Sequence, residues 1–168
     1  MQKCDLQNKI IVIGSPGAGK STFSRKLSQK LNLPLFHLDL IWHKPDKTTI
    51  TREEFDLQLD QILNQENWII DGNYARTLEK RIFACQTIFF LDMPLKTCLQ
   101  GIYNRIGKHR DDLPWQETEF DPEFKEYVIN FQKEQLPNIY LLLEKHRDKK
   151  IIIFKSHKEI DDFFNLLN

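Results

Sequence analysis

The chain contains Gly14-Ser15-Pro16-Gly17-Ala18-Gly19-Lys20-Ser21 near its start, and this stretch matches the pattern G-x-x-x-x-G-K-[ST]. Glycines let a backbone wrap closely around a polyphosphate, with successive N–H groups pointing at its oxygens. In this pattern the lysine brings a mobile positive charge to the phosphates, and the final hydroxyl is a ligand for magnesium. We therefore expect residues 14–22, Thr22 included, to bind a nucleoside triphosphate such as ATP, with Lys20 as a catalytic residue and Ser21 as a ligand of Mg²⁺.

The residues on either side of this loop predict a strand before it and a helix after it. The apolar run Ile10–Ile13 precedes the loop, and Phe23, Leu27 and Leu31 follow it at helical spacing. A helix that begins at the end of such a loop adds a positive dipole terminus to an anion site. The alternative interpretation is a glycine-rich turn in a protein that binds no nucleotide.

Four further apolar runs predict strands, and helical patterns separate them. These runs are Leu35–Leu38, Trp68–Ile70, Thr87–Leu91 and Ile151–Phe154. Strands that alternate with helices form βαβ crossovers and a parallel sheet that is covered on both faces. The predicted fold is therefore α/β, a three-layer P-loop NTPase fold with a five-stranded parallel sheet, in a single domain over residues 1–168.

Length and composition are typical of a globular domain. The 168 residues are 40% hydrophobic and 29% charged, and the formal net charge is zero, so no overall field attracts nucleic acid or anionic membranes. The polar start of the chain predicts no secretory signal, and no apolar run approaches the length of a membrane span. Three cysteines without metal-ligand spacing favour reduced thiols in the cytoplasm. Neither membrane association nor direct nucleic-acid binding is expected.

Polar residues stand where the predicted strands end. His37 and Asp39 lie at or just beyond the end of the second strand, and residues 71–74 follow the third. Asp92 follows the fourth strand and residues 155–157 follow the fifth. Because ligands of parallel α/β sheets bind beyond the carboxyl ends of the strands, we expect these residues to meet the phosphate-binding loop in one cleft.

Four stretches resemble the bacterial DNA topology modulation proteins, which are relatives of adenylate kinase among the small P-loop kinases. They are Gly14–Ser21, His37-Leu38-Asp39, Trp68-Ile69-Ile70-Asp71-Gly72-Asn73-Tyr74 and Arg105–Arg110. The resemblance covers nearly the whole chain, and it implies an adenylate-kinase-like sheet with a small basic lid. We place this lid segment at about residues 105–121. Its second half, from His109 to Glu117, departs from the Arg-Pro-Asp and Gly-Cys-Pro-Glu stretches that relatives often carry.

The basic segment and one strand-end acid are candidates for the donor side of phosphoryl transfer. This reaction needs in-line positioning and positive charge around the transferred group. We expect Arg105 and Arg110 to close over the phosphates as catalytic residues; the alternative is a solvated helix end, where cations complement the helix dipole. Asp71 is expected to hold Mg²⁺ through water or to contact Lys20; the alternative is a turn aspartate before Gly72.

The acceptor of the phosphoryl group is expected to bind to Asp39 and to the loop Asp71-Gly72-Asn73-Tyr74, with Arg76 and Arg81 gripping an anion. Surface salt bridges are the alternative role for the two arginines. A hydroxyl acceptor is helped by a carboxylate that takes its proton, and Asp39 is the candidate for this catalytic role; otherwise it is a helix cap or a structural hydrogen-bond acceptor. Asp39 is similar to the acid of shikimate- and gluconate-type kinases, whereas Asp71-Gly72 is similar to nucleoside monophosphate kinases. Both a hydroxyl and a phosphate acceptor therefore stay open.

The leading hypothesis is an ATP- and Mg²⁺-dependent kinase of a small molecule, either a nucleotide or a hydroxyl metabolite. One alternative is a non-enzymatic nucleotide-binding regulator that affects DNA topology or a protein partner, as the family name suggests. The zero net charge and the lack of a recognisable DNA-binding motif argue against direct DNA contact. A slow NTPase switch is disfavoured, because the nearest approach to an apolar strand ending in paired acids is the short run Trp68–Asp71.

Overall fold

A computed structural model describes residues 7–167, which contain a five-stranded sheet with parallel neighbours throughout. The strands are β1 (Lys9–Gly14), β2 (Leu35–His37), β3 (Trp68–Asp71), β4 (Thr87–Leu91) and β5 (Lys150–Phe154). Their order across the sheet is β2-β3-β1-β4-β5, so that β1 is central and carries the phosphate-binding loop at its carboxyl end. The predicted five-stranded parallel sheet is confirmed.

Helices connect the strands and cover the sheet. They are α1 (Lys20–Leu31), α2 (Leu38–Trp42), α3 (Arg52–Leu63), α4 (Ala75–Ala84), α5 (Leu95–Arg105), α6 (Pro122–Glu134), α7 (Leu136–Lys145) and α8 (His157–Leu166). Among residues 7–167, no helix combines the length and the apolar character that crossing a membrane requires.

The apolar core forms two clusters, one for each set of alternating strand residues. Ile10 and Val12 share one cluster with Phe23 of α1 and other residues of α5 and α8. Ile11 shares the other cluster with Phe55 of α3 and residues of α4 and α7. Because successive strand residues point to opposite faces, a continuous apolar strand that is buried at every position needs helices on both sides. The three-layer arrangement predicted from the alternation of strands and helices is confirmed.

The second strand is shorter than the sequence predicts. It ends at His37, and α2 begins at Leu38, whose side chain is fully buried. A short apolar run is compatible with a strand or a buried helical turn, so periodicity does not separate the two here. As a result, Asp39 lies in the first turn of α2, one element beyond the strand end.

Residues 106–121, most of the lid segment, join α5 to α6 without a helix or strand of their own. After α6, Pro137 lies in the first turn of α7, where its missing N–H leaves no intrahelical hydrogen bond unmade. The chain therefore forms two helices here, α6 and α7, and not one continuous helix.

Candidate active site

The phosphate-binding loop depends on close backbone approaches that only glycine allows. Gly14 has φ +147°, and a Cβ atom there would lie 2.3 Å from the Leu91 carbonyl oxygen. Gly17 has φ +81°, and its Cβ would lie 2.2 Å from the Cys98 carbonyl oxygen of α5. Gly101 makes the reciprocal approach, since a Cβ at that position would lie 2.3 Å from the Gly17 oxygen. The loop is thus clamped between β4 and the helix that leads into the lid segment.

Two parts of the predicted nucleotide-binding stretch have different surroundings. Pro16, Gly17 and residues 19–22 line a cleft of about 1120 Å³. Gly14, Ser15 and Ala18 are buried. Their backbone N–H groups donate within the protein: Gly14 to Asn73 Oδ1, Ser15 to the Leu91 carbonyl oxygen and Ala18 to the Ser15 carbonyl oxygen. These three residues therefore hold the loop in shape.

The Lys20 ammonium lies against the loop itself. Nζ donates to the carbonyl oxygens of Gly14 at 2.9 Å and Ser15 at 3.0 Å. Burial lowers the pKa of Lys20, and the negative charges of Asp71 and Asp39 act in the opposite direction. The ammonium is thus fixed by two carbonyl oxygens of the loop that it follows.

The Ser21 hydroxyl is the meeting point of two carboxylates. Its oxygen lies 2.5 Å from Asp112 Oδ2 and 3.2 Å from Asp71 Oδ2, so its single proton is donated at the shorter distance to Asp112. His37 Nδ1 lies 2.8 Å from the same oxygen of Asp71. This chain of contacts runs from the end of β2, through the end of β3 and the loop, into the lid segment.

The arginines of the lid segment are paired with acids of the same segment. Arg110 donates to both oxygens of Asp112, at 3.1 and 2.7 Å, and to Glu117 at 2.8 Å. Arg105 Nε lies 3.1 Å from the Glu117 carboxylate. Both arginines line the cleft, but each is paired with a carboxylate of its own segment. Their predicted role over the phosphates stays a prediction.

Asp112 has an unusual acidity for a buried carboxyl group. Burial by itself raises its pKa, but the hydrogen bonds and charge of Arg110 and the hydrogen bond from Ser21 outweigh burial and bring the pKa below its usual range. The unfolded-state pKa is about 3.9. The stabilisation by ionised Asp112 is therefore fully present above about pH 4 and is lost as pH falls toward the lower pKa of the folded state.

Asp112→Asn is expected to lower the free energy of unfolding by about 1–3 kcal/mol at pH 7, because hydrogen bonds to a charged group are lost. The difference from wild type should shrink as pH is lowered below about 4, where the wild-type carboxylate also becomes protonated. Urea unfolding between pH 3 and pH 7 measures both effects. Asp111→Asn is the matched control, since the neighbouring side chain is 64% exposed. If the difference in the free energy of unfolding between wild type and Asp112→Asn is constant over this pH range, the ionised Asp112 carboxylate is not the source of the stabilisation.

The loop after β3 is held by Asn73 and Arg81. The Asn73 amide donates to the Gly14 carbonyl at 2.7 Å and accepts from the Gly14 N–H at 3.0 Å. The Arg81 guanidinium, fully buried, donates to the carbonyl oxygens of Gly72, Asn73 and Tyr74. Burial lowers the pKa of Arg81 to about 10. These contacts tie the loop to the phosphate-binding stretch, although Asn73 was predicted to bind substrate.

Arg76 and Arg81, which the sequence predicts to grip an acceptor anion, contact other groups in the structure, so this role stays a prediction. Arg81 lies under the loop, and Arg76 makes a two-point ion pair with Asp56 at 2.9 and 2.7 Å on the outer surface. Neither is among the described residues that line the cleft. Residues five positions apart on a helix are rotated by about 140° about the helix axis. The side chains of Arg76 and Arg81 therefore point in different directions.

Asp39 faces the cleft and is held by Tyr74. The Tyr74 hydroxyl donates to Asp39 Oδ1 at 2.6 Å. Tyr74 has φ +39°, an uncommon conformation for a side chain of this size. Its ring stacks on Phe55 with centroids 5.3 Å apart and meets Trp42 edge-on. Burial and the charge of Asp39 raise the pKa of Tyr74, so the phenol stays a hydrogen-bond donor.

Most of the predicted site residues line one cleft. They are Lys20, Ser21, Thr22, Asp39, Asp71, Gly72, Asn73, Tyr74, Arg105 and Arg110. His37 and His157 also line this cleft, as their places at the ends of predicted strands led us to expect, and His157 Nε2 lies 3.1 Å from the Ala18 carbonyl oxygen. Asp112 joins them although the sequence did not assign it to the site. Asp112 has no comparable signal beyond its place after Arg110.

Relatives and solved structures of kinases resemble this chain. An adenylate kinase from Encephalitozoon cuniculi is 30% identical over 127 residues, which are 62% of this chain and 70% of that protein. A shikimate kinase from Flavobacterium johnsoniae is 24% identical over 133 residues, 71% of this chain and 77% of that protein. A shikimate kinase from Rhodococcus jostii is 56% identical, over 32 residues that are 19% of either chain. No family model matches the chain.

The fold of this chain is also similar to that of a solved kinase structure. The crystal structure of shikimate kinase from Acinetobacter baumannii in complex with shikimate superposes with a TM-score of 0.59 and 16% sequence identity, over 98% of this chain and 95% of that one. At this identity the superposition shows a shared fold. Since the adenylate kinase matches at 30% identity over 70% of its own length, the chain belongs to the adenylate kinase-like family of P-loop kinases.

Proposed function

We propose that this protein transfers the γ-phosphoryl group of ATP, with Mg²⁺, to a hydroxyl group of a small molecule. The observation that carries the proposal is the shared cleft of Lys20 and Asp39, with a phosphate-binding loop on one side and an oriented carboxylate on the other.

The donor side is proposed to bind the phosphates of ATP. The phosphate-binding stretch, residues 14–22, and the N-terminus of α1 suit a polyphosphate, and Lys20 supplies the positive charge. The Ser21 hydroxyl and the Asp71 carboxylate are oxygen donors that suit Mg²⁺. When bound, the metal supplies charge neutralisation between the phosphate groups.

Asp39 is proposed to accept the proton of the acceptor hydroxyl. In that step the hydroxyl oxygen forms a bond to the γ-phosphorus, the bond to the bridging oxygen breaks, ADP leaves, and the proton moves to the Asp39 carboxylate. Tyr74 holds one oxygen of this carboxylate and thereby orients the other. A phosphate acceptor has less support, because the two arginines expected to grip it, Arg76 and Arg81, are engaged elsewhere.

Asp39→Asn is expected to lower kcat about 10²–10⁴-fold, because an amide cannot take the proton, while binding of Mg·ATP stays within a factor of a few. ADP release is measured with a panel of polyols, nucleosides, shikimate and nucleoside monophosphates, above the rate without acceptor. Asp46→Asn is the control, since this acid lies on an exposed loop and bonds Thr48. ADP release that is flat over the whole panel, or undiminished in Asp39→Asn, argues against the proposal.

We also propose that the protein is cytoplasmic and that it does not bind nucleic acid directly. Cys85 and Cys98 are free and buried, and burial raises the pKa of both thiols. Reduced, unreactive thiols suit the cytoplasm. The formal net charge of zero supports a small-molecule substrate over DNA, since nucleic-acid affinity rests mainly on neutralising phosphates.

A further inference from the structure

His37 and Asp71 are brought together by the register of two parallel strands. His37 ends β2, Asp71 ends β3, and the two residues are direct partners in the ladder between these strands. Partners in a parallel ladder present their side chains on the same face of the sheet. Ile69, two residues before Asp71, belongs to one apolar cluster with Phe23 of α1, so this is the face that α1 covers. The first turn of the same helix carries Ser21.

The contact between these two side chains is short and shielded from solvent. His37 Nδ1 lies 2.8 Å from Asp71 Oδ2, and the side chains are 9% and 6% exposed. Since an ionised carboxylate only accepts hydrogen bonds, Nδ1 carries a proton and donates to it. The Ser21 hydroxyl oxygen lies 3.2 Å from the same carboxylate oxygen. Within residues 7–167, no other side chain makes a hydrogen bond or an ion pair with the Asp71 carboxylate.

Lys20 and Arg81 are cations of the same region, and both are engaged with the backbone. Lys20 Nζ donates to two carbonyl oxygens of the phosphate-binding loop. Arg81 donates to the carbonyl oxygens of residues 72–74, directly after Asp71. A charge attracts a carboxylate whatever the orientation of its plane, whereas an N–H donor acts along one direction. Because the last torsion angle of an aspartate is broad, the hydrogen bond from His37 is what orients the Asp71 carboxylate.

A role at the start of α2 does not explain the position of the His37 side chain. His37 is the N-cap residue of this helix, a place where side chains often accept a hydrogen bond from the first turn. The His37 side chain makes no such capping bond. It contacts Asp71 instead and lines the cleft beside the phosphate-binding loop.

We propose that His37 is a positioning residue of the metal site: its Nδ1–H fixes the Asp71 carboxylate in the orientation that holds Mg²⁺ beside the Ser21 hydroxyl. The inference rests on the kinase function proposed above and adds a residue to that site. Two oxygens bound side by side to one octahedral Mg²⁺ ion, each at about 2.0–2.1 Å, are about 3 Å apart. The 3.2 Å between the oxygens of Ser21 and Asp71 is close to this separation.

The test measures how much Mg²⁺ strengthens the binding of a nucleotide. AMP-PNP is titrated calorimetrically into the full chain, once with excess Mg²⁺ and once with EDTA, and the ratio of the two affinities reports the coupling between metal and nucleotide. His37→Leu, which removes the N–H donor, is expected to lower this ratio about 10-fold, as the loss of a hydrogen-bond partner of a metal ligand commonly does. The affinity in EDTA should stay as in wild type.

Two further variants separate the hydrogen bond from the loss of the ring. His37→Asn should keep most of the wild-type ratio, because the asparagine Nδ2 can take the place of the histidine Nδ1 and donate to Asp71. Asparagine and leucine have the same branched shape, so these two variants differ mainly in the donor. His146→Leu is the control and should leave the ratio unchanged. His146 has a side chain that is 12% exposed and lies 3.3 Å from Glu79, and it is not among the described residues that line the cleft.

The outcomes separate this inference from the kinase function. If AMP-PNP binds wild type under neither condition, both proposals fall. If AMP-PNP binds wild type but Mg²⁺ does not strengthen its binding, the nucleotide site stands and the role of His37 is overturned. The role is also overturned if His37→Leu loses affinity equally in Mg²⁺ and in EDTA, as it would for a purely structural residue, or if His37→Asn behaves like His37→Leu.

The far-UV circular dichroism spectrum shows whether each variant is folded. If His37→Leu does not fold, His37→Gln takes its place in the comparison with His37→Asn. The glutamine amide lies one methylene further from the backbone than the asparagine amide, so it does not place an N–H group at the position of Nδ1. A ratio in His37→Gln equal to that in wild type then overturns the assigned role, and a ratio lowered about 10-fold supports it.

Discussion

Lys20→Ala is expected to lower kcat/KM for ATP by about 10²–10³-fold, because the positive charge that stabilises the transferred phosphoryl group is removed. Binding of Mg·ATP should weaken in parallel, since the Lys20 ammonium is the charged group that projects from the phosphate-binding loop. The fold should persist. Lys20 is in contact with loop carbonyls at the floor of the cleft and belongs to neither apolar cluster.

Lys30→Ala is the matched control, because Lys30 lies in the last turn of the same helix with an exposed side chain. Calorimetric titration with Mg·AMP-PNP and the far-UV circular dichroism spectrum are measured for both variants. If Lys20→Ala binds the nucleotide as wild type does, the assignment of the loop as the ATP site is wrong. If its spectrum is lost instead, Lys20→Arg and Lys20→Met serve to separate charge from folding.

Arg81→Ala is expected to lower the free energy of unfolding by at least about 2 kcal/mol. The substitution removes the side-chain donor of the partly buried carbonyl oxygens of Gly72 and Asn73, and each such loss costs about 1–3 kcal/mol. The Tyr74 carbonyl oxygen keeps the Thr77 N–H as a donor. The loop that carries Tyr74 should also lose its position, so that activity falls together with stability. Urea unfolding at pH 7 gives the free energy, and ADP release gives the activity.

Arg76→Ala on the same helix is the control for this effect. Its ion pair with Asp56 is exposed, with side chains 45% and 41% accessible, so its loss should change stability by less than about 1 kcal/mol. Equal losses in the two variants would falsify the distinction between a buried support and a surface ion pair. A raised KM for the acceptor in Arg76→Ala, without a change in stability, revives the role that the sequence alone suggested.

Local patterns carry most of the information about the fold and the donor side. Ile10–Ile13, the glycines that follow and the helical spacing of Phe23 and Leu27 predict strand, loop and helix, because each property acts over a few neighbouring residues. The strand-end rule then places Asp71 at the cleft, since all strands of a parallel sheet end on one side. These features could be derived before any distance was known.

The partners of individual side chains depend on tertiary packing. Ser21 and Asp112 are 91 residues apart in the chain, and Ser21 and Asp71 are 50 apart, yet both pairs meet in the cleft. Arg76 and Arg81 have the same chemistry, but the rotation of α4 turns one toward solvent and the other toward three carbonyl oxygens. Composition and periodicity are properties of one segment at a time. The balance of charge in the cleft is set by segments that meet only when the sheet and its helices pack.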